Sequence, residues 1–485
     1  MKKITIDPIT RLEGHGRIEI FLDDTGNVAN AYLQITELRG FEQFCLGRLV
    51  EEMPRITPKI CGVCPEAHHL ASTKALDNVF KVKPTPTAYK IRELLYCAHF
   101  IHSHIAHFYA LAAPDFVLGP DADPAKRNIL GVAEAIGLEL TGEVIKGRAY
   151  AQDIQAIIAG RATLPVCGLP GGVSKSIKGE EREKIEEKAK YCLEFAKKTI
   201  GVFEKVVLEN KAYVDLIFSD TFRMETYYMG LVDEKNKFNF YDGNIRVIDP
   251  MGNEYVKFEP AKYLEQISEH VEQWTYLKFP YLRNLGWKGF ITGMESGIFR
   301  VAPLARLNVC EGFTTPLAQA EYDKYLRTLG GKPVHSTLAN HWARVIEMLY
   351  AAERLVELSK DPEITDLNIR NMPTEKPDEG VGVVEAPRGT LIHHYKTDEK
   401  GRLIAVNLIV ATGNNNGAIC ISVAKAARDF IKDGFVDQGI LNMVEMAFRA
   451  YDPCFACATH AISSKLPIEI YIRDSSGSII KTITN

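Results

Sequence analysis

Two Cys-x-x-Cys pairs stand out as residues whose type and spacing could do chemistry. The first lies in Ile60-Cys61-Gly62-Val63-Cys64-Pro65, and the second in Asp452-Pro453-Cys454-Phe455-Ala456-Cys457. Ten cysteines scattered at random over 485 residues would give about 0.2 pairs at this separation, so two pairs point to selection for ligation. Pro65 fits the first position of a helix that follows Cys64. Asp452 reads as an N-cap, with Pro453 at the first helical position. Both pairs therefore belong at helix N-termini, where free amides and the helix dipole favour thiolate over thiol. Four thiolates suit structural zinc, an iron–sulfur cluster, or a nickel or iron centre, and spacing does not choose among them. The pairs are 393 residues apart, which fits poorly with a local zinc module. A dithiol redox motif would need a βαβ context that neither pair has. The other six cysteines, at 45, 97, 167, 192, 310 and 420, sit singly in apolar settings and read as small buried hydrophobes. A chain this long builds its own core without a disulfide framework.

The elements that must position these pairs follow from periodicity. Residues 15–37 alternate around Asp23-Asp24-Thr25-Gly26 as a hairpin. A helix is expected over 87–113, apolar on most faces and hence deep in the core, carrying His99, His102, His104 and His107. Further helices are expected over 179–210, 316–329, 341–359, 419–432 and 437–450. Strands flank Lys400-Gly401 within 381–411, and alternation returns over 466–485. The class is mainly α with small β-sheets (α+β), without internal repeats. A net charge of −4 supplies no basic field for nucleic acid. No run reaches the roughly 18 apolar residues of a membrane span. The N-terminus shows basic residues but no apolar secretory segment.

In chain order, several further motifs accompany the cysteines: Arg11-Leu12-Glu13-Gly14-His15, Arg39-Gly40-Phe41-Glu42, His107-Phe108-Tyr109 with Asp115, Pro303-Leu304-Ala305-Arg306-Leu307-Asn308, Glu385-Ala386-Pro387-Arg388-Gly389, and Asp452-Pro453-Cys454-x-x-Cys457-x-x-His460. Together they resemble the large, catalytic subunit of nickel-iron hydrogenases, nearly end to end. Ala112-Ala113-Pro114-Asp115-Phe116 and the residues through Pro124 are most similar to the cytoplasmic viologen-reducing branch. The resemblance implies a helical core with peripheral β-hairpins.

It also implies roles. Cys61, Cys64, Cys454 and Cys457 would bind nickel, with Cys64 and Cys457 bridging to an iron that carries cyanide and carbon monoxide. Arg388 would stand over the open metal position, paired with Asp115 and Asp452. Read alone, a Pro-Arg-Gly turn suggests only a surface salt bridge. Glu13 would be the first proton relay, although by itself it reads as a solvated residue. His68, one turn beyond Cys64, would bond a cysteine sulfur. Pro387, Val410, Ala411 and Thr412 would cradle the cyanides, with Ala411 standing where many relatives have proline. Leu164 replaces a histidine common in the family, without touching a metal ligand. Glu42, His460 and the backbone carbonyl of Leu408 would bind Mg2+.

The expected activity is heterolytic cleavage of dihydrogen to protons and electrons. The electrons would leave through an iron-sulfur small subunit, because the remaining cysteines have no cluster spacing. Heterodisulfide reductase and an electron-transfer subunit are expected further along, in the cytoplasm. Family precursors are cut after the terminal histidine by a maturation endopeptidase. The expectation is therefore one interlocked catalytic unit over 1–460 and a removable extension over 461–485. The alternative is a non-catalytic metal protein: a regulatory hydrogen sensor, a quinone-reductase subunit or a structural zinc protein.

Overall fold

Strand β1 (Lys2–Ile6) pairs antiparallel with β2 (Arg17–Leu22), which pairs with β3 (Val28–Gln34), so the predicted hairpin gains a third strand from the extreme N-terminus. The computed structural model describes residues 2–35, 37–459, and the backbone of a hairpin made of Glu469–Arg473 and Ile479–Thr484. Short helix α1 (Phe41–Cys45) follows, then α2 (Pro65–Val79), which starts with Cys64 at its N-cap and Pro65 in its first turn. Helix α3 (Pro86–Ile105) is capped by Thr85, whose side chain accepts from Ala88 N–H, and almost all of it is buried. It runs into a π-helical turn, Ala106–Ala112, and a last segment, α4 (Ala113–Val117). The expected helix over 87–113 is thus present, with a widened turn that re-aims its end.

Helices α5 (Ile129–Ala159) and α6 (Gly179–Phe203) pack together, with α5 lying against α3. The sequence reading did not anticipate α5. Its apolar residues are spread over several faces, and Gly137 breaks it with φ 85°, leaving Leu138 88% exposed. Also unanticipated is a sheet of β4 (Tyr227–Val232), β5 (Asn244–Ile248) and β6 (Glu254–Phe258), joined on β4 by a short parallel pairing from Phe299–Arg300. Buried helix α7 (Pro303–Val309), α8 (Pro316–Leu329) and the long core helix α9 (Asn340–Lys360) come next, the last packed on α3 and α6.

The sheet β7 (Glu379–Ala386), β8 (Gly389–Thr397) and β9 (Leu403–Ile409) is antiparallel. It is not peripheral: β7 and most of β8 are buried, and β7 lies on α2. That approach requires Gly382, where a Cβ would stand 2.0 Å from the Ala71 carbonyl oxygen and 2.3 Å from Ala75 N. Ala386 pairs with Gly389, so Pro387 and Arg388 form the tight connection between β7 and β8. Helices α10 (Asn416–Phe430), α11 (Gln438–Arg449) and the single turn α12 (Phe455–Ala458) complete the described helices. None of the described helices is long and apolar enough to cross a membrane.

His69 ties α2 to its surroundings in a way that requires a neutral ring. Its Nδ1–H donates to the Pro54 carbonyl at 2.7 Å, and its Nε2 accepts from Gly168 N–H at 2.8 Å. Burial pulls its pKa down to about 4. Because the folded value lies below the unfolded one, stability is whole above pH 6.5 and is lost as pH falls toward 4. Between pH 7 and 5 this histidine should cost about 2 kcal/mol. Urea unfolding at the two pH values should show His69→Gln less acid-sensitive than the parent chain by that amount.

Candidate metal centre

The cysteine pairs, one near each end of the chain, meet in the interior. All four sulfurs lie within 4.8 Å of one another, and all four residues are buried. Cys61 and Cys454 sulfurs are 3.1 Å apart, Cys64 and Cys457 3.5 Å, and Cys454 and Cys457 2.9 Å. Val63 N–H points at Cys61 Sγ from 3.2 Å. Hydrogen bonds from the Cys454, Cys457 and Cys64 thiols hold Cys61 well below the ordinary thiol pKa, whereas burial pushes Cys454 and Cys457 well above it. The protein alone therefore stabilises one thiolate, and a soft cation is what would allow four. The other six cysteines are buried thiols without such partners, as expected; burial raises Cys167, Cys192 and Cys420 to about 12.

The N-terminal segment is woven into the second pair. Glu13 bridges Cys454 as a parallel β-partner, and Phe455 N–H donates to the Glu13 carbonyl at 3.0 Å. Gly14 makes this possible: its φ is +90°, and a Cβ there would lie 2.8 Å from Ala456 N. The Glu13 carboxylate then sits 2.8 Å from Cys454 Sγ and accepts from Ala456 N–H at 3.2 Å. It is half-buried rather than solvated. Burial, followed by the Cys61 charge, raises its pKa above the ordinary carboxylate value.

Arg388 is only 3% exposed, so the surface-salt-bridge reading of its turn fails. Its Nη2 donates to Asp452 Oδ1 at 3.0 Å, while Nε and Nη1 have no partner among the described residues. Burial opposes its charge, but Asp452 and the sulfurs of Cys454, Cys64 and Cys61 outweigh burial and keep the guanidinium protonated. Asp452 adopts a left-handed φ of 56° and is not the predicted N-cap. Cys454 takes the N-cap position and α12 begins at Phe455, because the Asp452 carboxylate is committed to Arg388.

Asp115 also departs from expectation. Its oxygens receive hydrogen bonds from Arg11 at 2.5 Å, Arg449 at 2.7 Å and Asn442 at 3.0 Å, with none from Arg388. The π-helical turn before α4 aims it at α11 instead. Two guanidinium groups hold its carboxyl below the ordinary range despite burial. The sequence by itself gives Arg306 no role, although it lies in the Pro303-Leu304-Ala305-Arg306-Leu307-Asn308 motif. This fully buried residue on α7 donates to Glu347 at 2.6 and 2.7 Å, to Glu385 at 2.8 Å, and to the carbonyls of Ala386 and Pro387 at 2.9 and 3.2 Å. It thereby fixes the turn that presents Arg388. An arginine inside the apolar run of α7 was the available signal.

Of the remaining expected residues, Thr412 and His68 contact the cysteines directly. Thr412 Oγ1 accepts from Cys454 N–H at 3.0 Å, and Val410 and Ala411 are buried beside it at the start of a short helical turn. His68 Nε2 lies 3.6 Å from Cys457 Sγ. Glu42 and Leu408 do meet: Glu42 Oε1 accepts from Leu408 N–H at 2.7 Å, and burial raises the Glu42 pKa. His460 lies outside the described residues. Leu164 adopts φ 57° in a loop.

A fold that draws four buried sulfurs from both ends of the chain to one point agrees with comparison to known proteins. The chain matches the nickel-dependent hydrogenase family over residues 39–135 and 143–460, and a HoxL-like family over residues 3–38. It belongs to the nickel-dependent hydrogenases and is a large, catalytic subunit of a nickel-iron hydrogenase. It is 49% identical to an iron-sulfur subunit of the F420-non-reducing hydrogenase of Archaeoglobus profundus, over the full length of both chains. It is 37% identical to the NAD-reducing hydrogenase HoxS subunit beta of Cupriavidus necator over 99% of both chains. Among solved structures it resembles an NAD+-reducing [NiFe]-hydrogenase in the H2-reduced state, with TM-score 0.89 and 37% identity over 95% of this chain and 100% of that one.

The clamp on Asp115 yields a stability test. Asp115→Ala would leave Arg11 and Arg449 facing each other without their shared carboxylate. A loss of about 3–5 kcal/mol is expected in denaturant unfolding; a loss below about 1 kcal/mol would show that this clamp does not hold α4 against α11.

Proposed function

We propose that Cys61, Cys64, Cys454 and Cys457 hold nickel, that Cys64 and Cys457 share their sulfurs with an iron bearing cyanide and carbon monoxide, and that the loaded enzyme cleaves dihydrogen heterolytically and reversibly. The observation that carries this reading is the convergence of four buried sulfurs around one point, with a carboxylate and an unspent guanidinium facing them. When bound, the metal pair supplies the open position that polarises dihydrogen and takes up its electrons.

The chain's own residues supply the rest. Cys454 Sγ and Glu13 Oε2 are 2.8 Å apart, a distance over which a proton passes directly. A carboxyl with its pKa raised by burial can accept that proton and release it near neutral pH. Arg388 has Nε–H and Nη1–H unengaged among the described residues and lies close enough to feel the charge of the Cys454, Cys64 and Cys61 sulfurs, while Asp452 orients its plane. Pro387, Val410, Ala411 and Thr412 form a dry wall that suits small diatomic ligands on the iron. Glu42 and the Leu408 carbonyl, with His460, suit Mg2+ as hard oxygen and nitrogen donors.

The functional reading extends to partners. Electrons pass to the iron-sulfur clusters of a small subunit, then through an electron-transfer subunit to heterodisulfide reductase. The likeness to F420-non-reducing hydrogenases favours an acceptor other than F420, and the proposed location is the cytoplasm. Residues 1–460 form the catalytic unit, and a maturation endopeptidase removes residues 461–485.

Metal analysis and infrared spectroscopy of the purified complex test the core of the reading. Nickel, iron and the stretching bands of cyanide and carbon monoxide are expected, and Cys454→Ser should lose them along with hydrogen uptake. Zinc alone would sink the proposal in favour of a structural site. Glu13→Gln should retain the metals but lower hydrogen–deuterium exchange by about 100-fold or more, the usual size of a lost proton-transfer group.

A further inference from the structure

The sulfur of Cys457 stands at the end of a buried row of polar groups that the mechanism above does not use. Cys457 Sγ lies 3.6 Å from His68 Nε2, and His68 Nδ1 lies 3.1 Å from His393 Nε2. His393 Nδ1 lies 2.6 Å from the Tyr395 hydroxyl, which is 3.0 Å from Ser72 Oγ. His68, His393, Tyr395 and Ser72 are each at most 1% exposed. The geometry follows from the elements. His68 and Ser72 are one turn apart on α2, and His393 and Tyr395 are alternate residues on the same face of β8. A helical turn rises about 5.4 Å and two strand residues about 6.7 Å, so the two pairs lie side by side.

The direction of the row is determined by its ends. A metal-bound thiolate can only accept, so His68 must present Nε2–H to Cys457 and leave Nδ1 bare. A bare Nδ1 needs a donor, which makes His393 the Nε2–H tautomer with its own Nδ1 bare. That atom in turn needs the Tyr395 O–H; burial raises the Tyr395 pKa well above its ordinary value, so the hydroxyl keeps its proton, which here is directed at Ser72 Oγ. A metal-bound Cys457 therefore calls for the Tyr395 proton to turn from Ser72 to His393, after which every donor points the same way and the aligned hydrogen bonds polarise one another.

Resting on the assignment of Cys457 as a metal ligand, we infer that His393 and Tyr395 are positioning residues that lock the tautomer of His68 and so tune the electron density of the Cys457 sulfur. Hydrogen bonds to ligating sulfur withdraw charge and shift the electronics of the metal they serve. Neither residue touches the metal or the substrate.

The test uses the assembled complex and reads the infrared bands of the diatomic ligands. His393→Leu removes the donor to His68, and Tyr395→Phe removes the group that fixes His393. Both should shift the carbon monoxide band to lower wavenumber and the redox transition of the centre to more negative potential, with nickel and iron content unchanged. His393→Gln, whose amide N–H can serve His68, should restore most of the shift. Bands and potential that superimpose on the parent in both His393→Leu and Tyr395→Phe would overturn the inference. A parent complex without such bands would overturn the metal assignment itself. If His393→Leu fails to assemble, Tyr395→Phe still decides. Nitrogen-15 histidine spectra of the metal-loaded complex in a diamagnetic state give an independent reading: His68 and His393 should both be Nε2–H tautomers, and Nδ1–H on His68 would refute the one-way row.

Discussion

The structure depends on keeping sulfur charge in a place with almost no water. Four thiolates brought within contact of one another would repel strongly, and burial removes the solvent that would screen them. The protein alone tolerates about one such charge, at Cys61, and leaves the remainder to a bound cation. Much of the surrounding architecture can be understood as compensation. Arg388 faces the sulfurs, Asp452 balances Arg388, and Arg344 is held close behind through the Ala450 carbonyl. Arg306 is balanced separately by Glu347 and Glu385. Arg388 and Arg306 thus each meet a counter-charge within the core, which is the condition for burying charge at all.

That electrostatic arrangement demands close backbone approach, and glycine supplies it at two decisive positions. Gly14 lets the N-terminal segment lie on the Cys454 loop, and Gly382 lets β7 press onto α2. The π-helical turn has a comparable effect through side-chain direction, rotating Asp115 away from Arg388 and toward α11. Rigid elements thus set the first layer of groups around the sulfurs, and a second layer of buried ion pairs sets those elements. A site built this way is pre-organised, which favours reactions whose transition state needs fixed dipoles over ones that need large motions.

The sequence made the chemistry legible before the architecture. Spacing alone exposed the two cysteine pairs, and the helices from Pro316, Asn340 and Asn416 matched their periodicity closely. The partners of charged residues were harder to read. Asp115 could not be separated from Asp452 as a companion of Arg388, because the choice depends on a widened turn with no clear local signature. Asp452 carried a sound N-cap pattern that tertiary pairing overrode. Helix α5 escaped notice because its apolar residues follow no single face, and the sheet from Tyr227 to Phe258 because its pairing is set by packing rather than by alternation. The row through His393 and Tyr395 was invisible for a related reason: two histidines 325 residues apart meet only when β8 is laid beside α2.

The strand-like contact between Glu13 and Cys454 has a temporal meaning. A ribosome delivers Cys61 and Cys64 long before Cys454 and Cys457, and during that interval the first pair is a bidentate, incomplete site open to any thiophilic metal in the cell. The N-terminal segment that will cradle the last loop must likewise wait for it. The four-sulfur geometry therefore first exists when the two distant pairs meet, and selectivity for one metal resides in that assembled site rather than in either pair alone.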